Sequence, residues 1–335
     1  MLFHAIILAL SFGIILLGSE LFTNGVEWAG ERLSIAEAAV GSLLAAVGTA
    51  LPETFIPLVA LLSGSSGHQA VGVGAIIGAP LMLSTVALFV MGIGAIVYRR
   101  RRGRIAMRVA RKDARRDLTF FFFIFTIFAG CGLLRLSSLA RHILVVVALL
   151  LYAAYAIVML RLSRAEGVAM DHGLHLDRLL RGNSSQPRAW AIAVQVAAGV
   201  LAILIGAKEF VDQIVLLSAH VGVNPGVLSL VLSPLATELP EKYNSVVWIR
   251  QSKDHLALAN ITGAMVFQSC IPVALGLAFT PWVLSAPEIL ASVIALSSAL
   301  ILFINLRNSE LGTPTLMLGG IAYAVFLGGL AYLRR

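Results

Sequence analysis

Residues 48–53 read G-T-A-L-P-E, and 188 positions later residues 236–241 read A-T-E-L-P-E. In each copy a carboxylate, Glu53 or Glu241, follows a proline, Pro52 or Pro240, in the middle of a long apolar segment. A carboxylate at bilayer depth costs about 2.5–3.5 kcal/mol on insertion scales, so its presence there marks a functional site. Each proline lacks the N–H that would bond the carbonyl four residues earlier, which is Gly48 in the first copy and Ala236 in the second. Unwound backbone is tolerated inside a membrane only where it lines a cavity. Two such breaks in corresponding positions point to the substrate site of a transporter.

The rest of the chain supports a membrane setting. Of 335 residues, 59% are hydrophobic and only 13% charged, which lies outside the range of soluble domains. Apolar runs of about 20 residues recur along the whole length. They place ten spans near 3–26, 37–62, 69–98, 117–134, 140–161, 189–217, 226–249, 256–279, 286–305 and 313–333. The N-terminal run lacks the basic flank of a signal peptide and is read as the first of these spans. The expected organisation is a first five-helix unit over 1–162, a linker over 163–187 and a second unit over 188–335. The net charge of +8 raises the question of nucleic acid, but the arginines gather in connecting segments, as juxtamembrane loops do. Nineteen Lys and Arg fall on the side of the 99–116 loop and the linker, against four on the other side: Arg135, Arg141, Arg334 and Arg335. The positive-inside rule then makes the first side cytoplasmic and puts both termini outside, in a multi-pass protein of the cytoplasmic membrane. Cys131 and Cys270 form neither a disulfide framework nor a metal-site spacing.

The internal repeat survives an alignment. Shifting residues 18–53 by 188 overlays 206–241 without a gap, with 7 of 36 positions identical. The matches fall at Gly18/Gly206, Phe22/Phe210 and the whole Thr-x-Leu-Pro-Glu core, with Asn24 opposite Asp212. Five spans per half means that the second half enters from the opposite side. An odd-numbered repeat therefore implies an inverted two-fold, which brings Glu53 and Glu241 to similar depth from opposite faces. The fold class expected is an all-α integral membrane protein of ten helices in two inverted repeats, with broken helices at the midplane.

Oxygen donors surround each break. The first copy offers the Gly48 carbonyl, the Thr49 hydroxyl and the Glu53 carboxylate. The second offers the Ala236 carbonyl, the Thr237 hydroxyl, and both Glu238 and Glu241, which share a face if the turn between them is helical. Hard cations take six to eight oxygens, so a divalent ion, sodium ions, or exchanging protons all fit; capping of the opened backbone is the bland alternative. Each break is followed by a small-residue run, G-V-G-A-I-I-G-A-P at 72–80 and A-N-I-T-G-A-M-V-F-Q at 259–268. Runs of this kind are usually packing surfaces. Asn260, Thr262 and Gln268 add polar groups to the second; Ser84 and Thr85 are the nearest hydroxyls of the first. Lys208 and Asp212 stand four apart and can neutralise each other. Lys242 either pairs with Glu238 or Glu209 or snorkels outward; paired, it favours proton or monovalent chemistry over divalent binding. No hydrolase or phosphate-cradling motif is present, so an enzyme reading has nothing behind it and no cofactor is expected.

The paired T-x-L-P-E, each followed by a G-A-containing helix, resembles the two alpha repeats of the sodium/calcium exchanger family, prokaryotic type, within the calcium:cation antiporter superfamily. The resemblance covers nearly the whole chain and implies a cation antiporter working by alternating access. It implies that Glu53 and Glu241 ligate calcium, and that Thr49, Thr237 and the Gly48 and Ala236 carbonyls help bind sodium. The family's serine before Leu-Pro-Glu is replaced by Ala50 and Glu238. Its G-S-N-x-x-N becomes G-A-P-L-M-L at 78–83 and G-A-M-V-F-Q at 263–268, where Gln268 alone keeps a polar end. Glu238 is then a third ligand or a proton carrier. The expected partners are inorganic cations and the lipid bilayer, not nucleic acid. The alternative is a passive cation channel or a non-transporting scaffold on the same fold.

Overall fold

The computed structural model describes residues 1–32, 51–162, 173–176 and 187–334. Thirteen α-helices and one two-stranded ladder are seen among them. α1 spans Leu2–Arg32, α2 Leu51–Leu62 and α3 Ser66–Met82, and a π-helical turn, Leu83–Ala87, joins α3 to α4, Leu88–Val97. A single turn, α5 (Arg99–Arg102), leads through β1 (Met107–Arg108) to α6 (Arg111–Cys131) and α7 (Ser138–Leu162). The second half contains α8 (Ala189–Val221), α9 (Pro225–Thr237), α10 (Leu239–Arg250) and α11 (Asp254–Phe279). It ends with α12 (Ala286–Asn305), β2 (Glu310–Leu311) and α13 (Thr313–Leu333).

Among the described residues, seven helices are long and apolar enough to cross a bilayer, the continuous Ser66–Val97 rod counting as one. The expected span at 117–134 corresponds to α6, which starts earlier, at Arg111. Its first two turns read R-K-D-A-R-R-D, good helix formers too polar to register as apolar. The expected span at 226–249 is two helices, α9 and α10, meeting at Glu238, whose φ −92° and ψ 13° interrupt both. At 13 residues, α9 is about 20 Å long, short of a 30 Å hydrocarbon core.

Position in the bundle follows burial. The Ser66–Val97 rod is 78% buried and α11 67%, whereas α7 and α13 are 11% and 17% buried, with Leu139, Leu150, Ile321 and Val325 facing outward. Exposed aliphatics of that size belong against lipid rather than water. One large apolar core joins α3, α4, α6, α11, α12 and α13. A second, smaller one, built on Ile15, Ile56, Val71, Phe210, Val211 and Ile214, seats α1 and α8 against α2 and α3.

α3 and α9 cross at backbone contact. A methyl group added at Gly74 would lie 2.2 Å from the Gly226 carbonyl oxygen, and one at Gly78 would lie 2.4 Å from that of Leu230. The run 72–80 is therefore a packing surface, as its small residues imply. Pro80 disturbs the ladder beyond it. Ser84 Oγ donates back to the Pro80 carbonyl at 2.8 Å and Thr85 Oγ1 to that of Leu81, so both hydroxyls serve their own helix. Ser298 of α12 donates to the Ser84 carbonyl where the π turn opens.

The strand ladder, Met107 opposite Leu311 and Arg108 opposite Glu310, ties the two long connections together at one end of the bundle. Beside it Asp254, fully buried at the start of α11, accepts from Arg102 at 2.6 Å, from Arg104 at 2.9 Å and from the Arg108 amide at 2.9 Å.

Candidate cation site

Leu-Pro-Glu begins α10, at Leu239-Pro240-Glu241, and falls in the first described turn of α2, at Leu51-Pro52-Glu53. Proline suits the first turn because its missing N–H is an orphan there in any helix, and its φ is already helical. The carboxylate in the same turn faces the positive end of the helix dipole. The motif therefore places Glu241 at the start of α10 by local rules alone.

Tertiary packing then gathers the groups. Glu53, Thr237, Glu238, Glu241, Lys242 and Gln268 are all at most 5% exposed, and Ala236 is 7% exposed. Glu53 and Thr237 line a cavity of about 10 Å³ with Ile56, Pro57, Ala75, Ala79, Ser233 and Pro234. That is room for about one water-sized particle. Both carboxylate oxygens of Glu53 are buried and accept no hydrogen bond from another described residue. Glu238, at the junction of α9 and α10, accepts from Gln268 Nε2 at 2.9 Å, and its second oxygen is buried without a hydrogen-bond donor. Glu238 is the N-cap of α10 and Glu241 stands in its first turn, with the Lys242 amide donating to the Glu238 carbonyl at 3.2 Å, so the turn between the two glutamates is helical. Glu53, Glu238, Glu241 and Lys242 act on one another electrostatically.

The polar run of α11 divides its labour. Gln268 reaches Glu238. Asn260 Nδ2 donates to the Glu241 carbonyl at 3.2 Å and to Ser245 Oγ at 3.4 Å, bracing the first turn of α10. Thr262 points away and donates to Asp117 of α6 at 2.8 Å, where Tyr155 of α7 also donates. Two hydroxyls at the site escaped the sequence reading. Ser233 lies in the cavity wall and pairs with Ser229, which donates to the Val71 carbonyl, while Ser245 sits one turn after Glu241. Their spacing was a signal: Ser233 stands four before Thr237, and Ser245 four after Glu241, each pair on one helical face. Gly48 and Thr49 lie outside the described residues. Lys208 donates to Asp212 at 3.1 Å, as its spacing implies, and His68 Nε2 lies 2.7 Å from the other Asp212 oxygen. Among the described residues no group of three or more His, Cys, Asp or Glu side chains is already drawn together as a metal site. Of the three glutamates, Glu53 lines the cavity.

A family model described as sodium/calcium exchanger protein matches residues 3–164 and 191–333. The chain belongs to the sodium/calcium exchanger family. A proposed antiporter, CaxA, of Alkalimonas amylolytica is 26% identical over 146 residues, 42% of this chain and 44% of that protein's length. Among solved structures, an H+/Ca2+ exchanger superposes with a TM-score of 0.75 at 18% identity, covering 98% of this chain and 82% of the other. A sodium-calcium exchanger from crystals soaked with sodium and strontium gives 0.59 at 18% identity, with 97% of each chain covered. The exchanger chain described here thus shares the fold of both.

Proposed function

We propose that this member of the exchanger family is an antiporter that moves calcium, or a cation like it, against sodium or protons. The observation that carries the reading is Glu53: a carboxylate buried in the bundle, facing an ion-sized cavity, with neither oxygen given a hydrogen bond by the described residues around it. An uncompensated buried carboxylate costs several kcal/mol, and a visiting cation removes that cost. Glu53 and Glu241 ligate the ion, and Glu238 is the third ligand or proton carrier. Thr237, the Ala236 carbonyl and Gln268 complete the second repeat's share, with Gly48 and Thr49 the first repeat's. The two solved exchangers that share the fold, one an H+/Ca2+ exchanger and one a sodium-calcium exchanger, support both choices of counter-ion without selecting one.

Counting α6 and the two broken segments, one ending in α2 and one formed by α9 and α10, as crossings gives ten spans. The repeat of Thr-x-Leu-Pro-Glu, with its Leu-Pro-Glu in α2 and in the first turn of α10, supports two inverted five-helix units, 1–162 and 188–335, joined by the 163–187 linker. The separate apolar seat of α1 and α8 supports alternating access by movement of that pair against the remaining helices. Lys and Arg asymmetry puts the 99–116 loop and the linker in the cytoplasm and both termini outside.

The test is radiolabelled calcium uptake by proteoliposomes under imposed sodium or proton gradients. Glu53→Gln and Glu241→Gln should each abolish gradient-driven uptake; near-normal flux in both would refute the assignment.

A further inference from the structure

α1 and α8 pack backbone against backbone. A methyl group added at Gly18 would lie 2.9 Å from the Gly199 carbonyl oxygen, one at Gly199 2.7 Å from the Phe22 amide nitrogen, and one at Gly206 2.9 Å from the Ser11 carbonyl oxygen. So close a seam holds the two helices as one unit. Where α1 starts and α8 finishes, each helix contributes a histidine: His4, half-buried, and His220, exposed in the last turn of α8. Their ring centroids lie 5.0 Å apart, with the ring planes tilted by 46°.

Both rings are held through the same nitrogen. His4 Nδ1 donates to Gln213 Oε1 at 2.8 Å, and His220 Nδ1 donates to the Leu216 carbonyl at 2.8 Å. Both acceptors are carbonyl oxygens with no proton to give. The Gln213 amide is fixed in its turn, because its Nε2 donates to Glu209 Oε1 at 2.7 Å. In the neutral rings each Nδ1 therefore carries the hydrogen and each Nε2 presents a lone pair. Neither Nε2 is hydrogen-bonded among the described residues. Histidine ligates metals in this form, with one nitrogen tied to an oxygen acceptor and the other open. The separation agrees: two imidazoles on one tetrahedral ion, each bonded at about 2.0–2.1 Å, place their centroids about 5 Å apart. Ring packing alone would give the same distance. It would not call for both Nδ1 atoms to be tied, nor for the chain from Glu209 through Gln213 to His4.

We propose that His4 and His220 form a two-histidine site for a transition-metal ion of the zinc class, which staples α1 to α8 at this end of the pair, with water completing its shell. Imidazole suits zinc, nickel and copper, whereas calcium takes oxygen ligands, so the site is chemically separate from the carboxylate pocket of Glu53. The charges around it are mixed. Glu209 stands behind Gln213, and Arg334 donates to the Val221 carbonyl at 3.1 Å, one residue past His220.

The test is calorimetric titration of zinc chloride into the purified full chain, with and without excess calcium chloride. The wild type should bind one zinc per chain in both conditions, and zinc should raise its thermal unfolding midpoint, because a ligand held only by the folded state stabilises it. His4→Ala and His220→Ala should each remove the binding while unfolding near the wild-type midpoint in the absence of zinc. Gln213→Leu keeps both imidazoles but deletes the acceptor that orients His4, and should weaken zinc binding about 10–100-fold. No zinc uptake by the wild type overturns the proposal, and that measurement needs no variant. Displacement of the zinc by calcium overturns it as well, since the ion would then sit among carboxylates. Wild-type zinc affinity in either histidine variant does the same.

Discussion

Gly78→Ala tests whether the α3–α9 crossing sets the site. The new methyl would meet the Leu230 carbonyl oxygen at 2.4 Å and Pro234 Cγ at 2.7 Å. Relief to ordinary van der Waals contact needs about 1 Å of movement, and both neighbours belong to the helix backbone or to a ring fused to it, so α9 must shift as a body. Overpacking of this kind costs about 1–3 kcal/mol, of which the better helix propensity of alanine returns at most about 1 kcal/mol. The net loss of stability is therefore small. The site should suffer more, because Ser233, Pro234 and Thr237 form one wall of the cavity and Glu53 the other, and preorganised sites tolerate about 0.5 Å. We expect the calcium concentration for half-maximal uptake to rise at least about tenfold, equivalent to about 1.4 kcal/mol of site free energy, while the detergent-solubilised protein loses only a few degrees of thermal stability. Gly328→Ala in α13, where an added methyl meets nothing within 4 Å, is the control and should leave both unchanged. Wild-type uptake affinity in Gly78→Ala would refute the claim that this crossing positions the site.

Three further substitutions separate the other polar contacts by magnitude. Asp254→Ala strips the shared carboxylate from the fully buried Arg102 and the partly exposed Arg104, and thermal unfolding should register a loss of about 3–5 kcal/mol. Asp212→Asn breaks contacts to His68 and Lys208 that stay partly exposed, with side chains 22% and 71% accessible, so the same assay should show about 1 kcal/mol or less. Gln268→Leu removes the 2.9 Å donor to Glu238; a hydrogen bond to a charged group is worth about 1.5–3 kcal/mol, so half-maximal uptake should shift by about tenfold or more.

Much of this was legible in the chain. Thr-x-Leu-Pro-Glu specifies a helix start with a carboxylate in the first turn through short-range rules, so the placement of Glu241 in α10 needed no tertiary information. The small-residue run at 72–80 likewise declared a close crossing, and Gly74 and Gly78 make it. Asn260, Thr262 and Gln268, by contrast, are equivalent polar residues on paper. One braces α10, one serves Asp117, and one reaches Glu238, because their directions depend on which helix packs on which face. The Asp254 cluster was invisible for a similar reason: Arg102 and Asp254 lie 152 positions apart, and only the packing of the connection that carries β1 against the start of α11 brings them together.

Lys242 shows most clearly why local pattern stops short of mechanism. Adjacency to Glu241 places it about 100° around α10, a position equally able to face the pocket or to snorkel out. The deciding element is the break at Glu238. The Pro234 carbonyl, which already accepts the Glu238 amide at 3.1 Å where α9 ends, also accepts from the ammonium arriving from α10 at 3.5 Å. Glu238 itself stands at that break as the N-cap of α10, and its carboxyl accepts from Gln268. One interruption thus gives the second repeat an extra carboxylate and an extra cation together, and Ala50 opposite Glu238 marks where the first repeat has no counterpart.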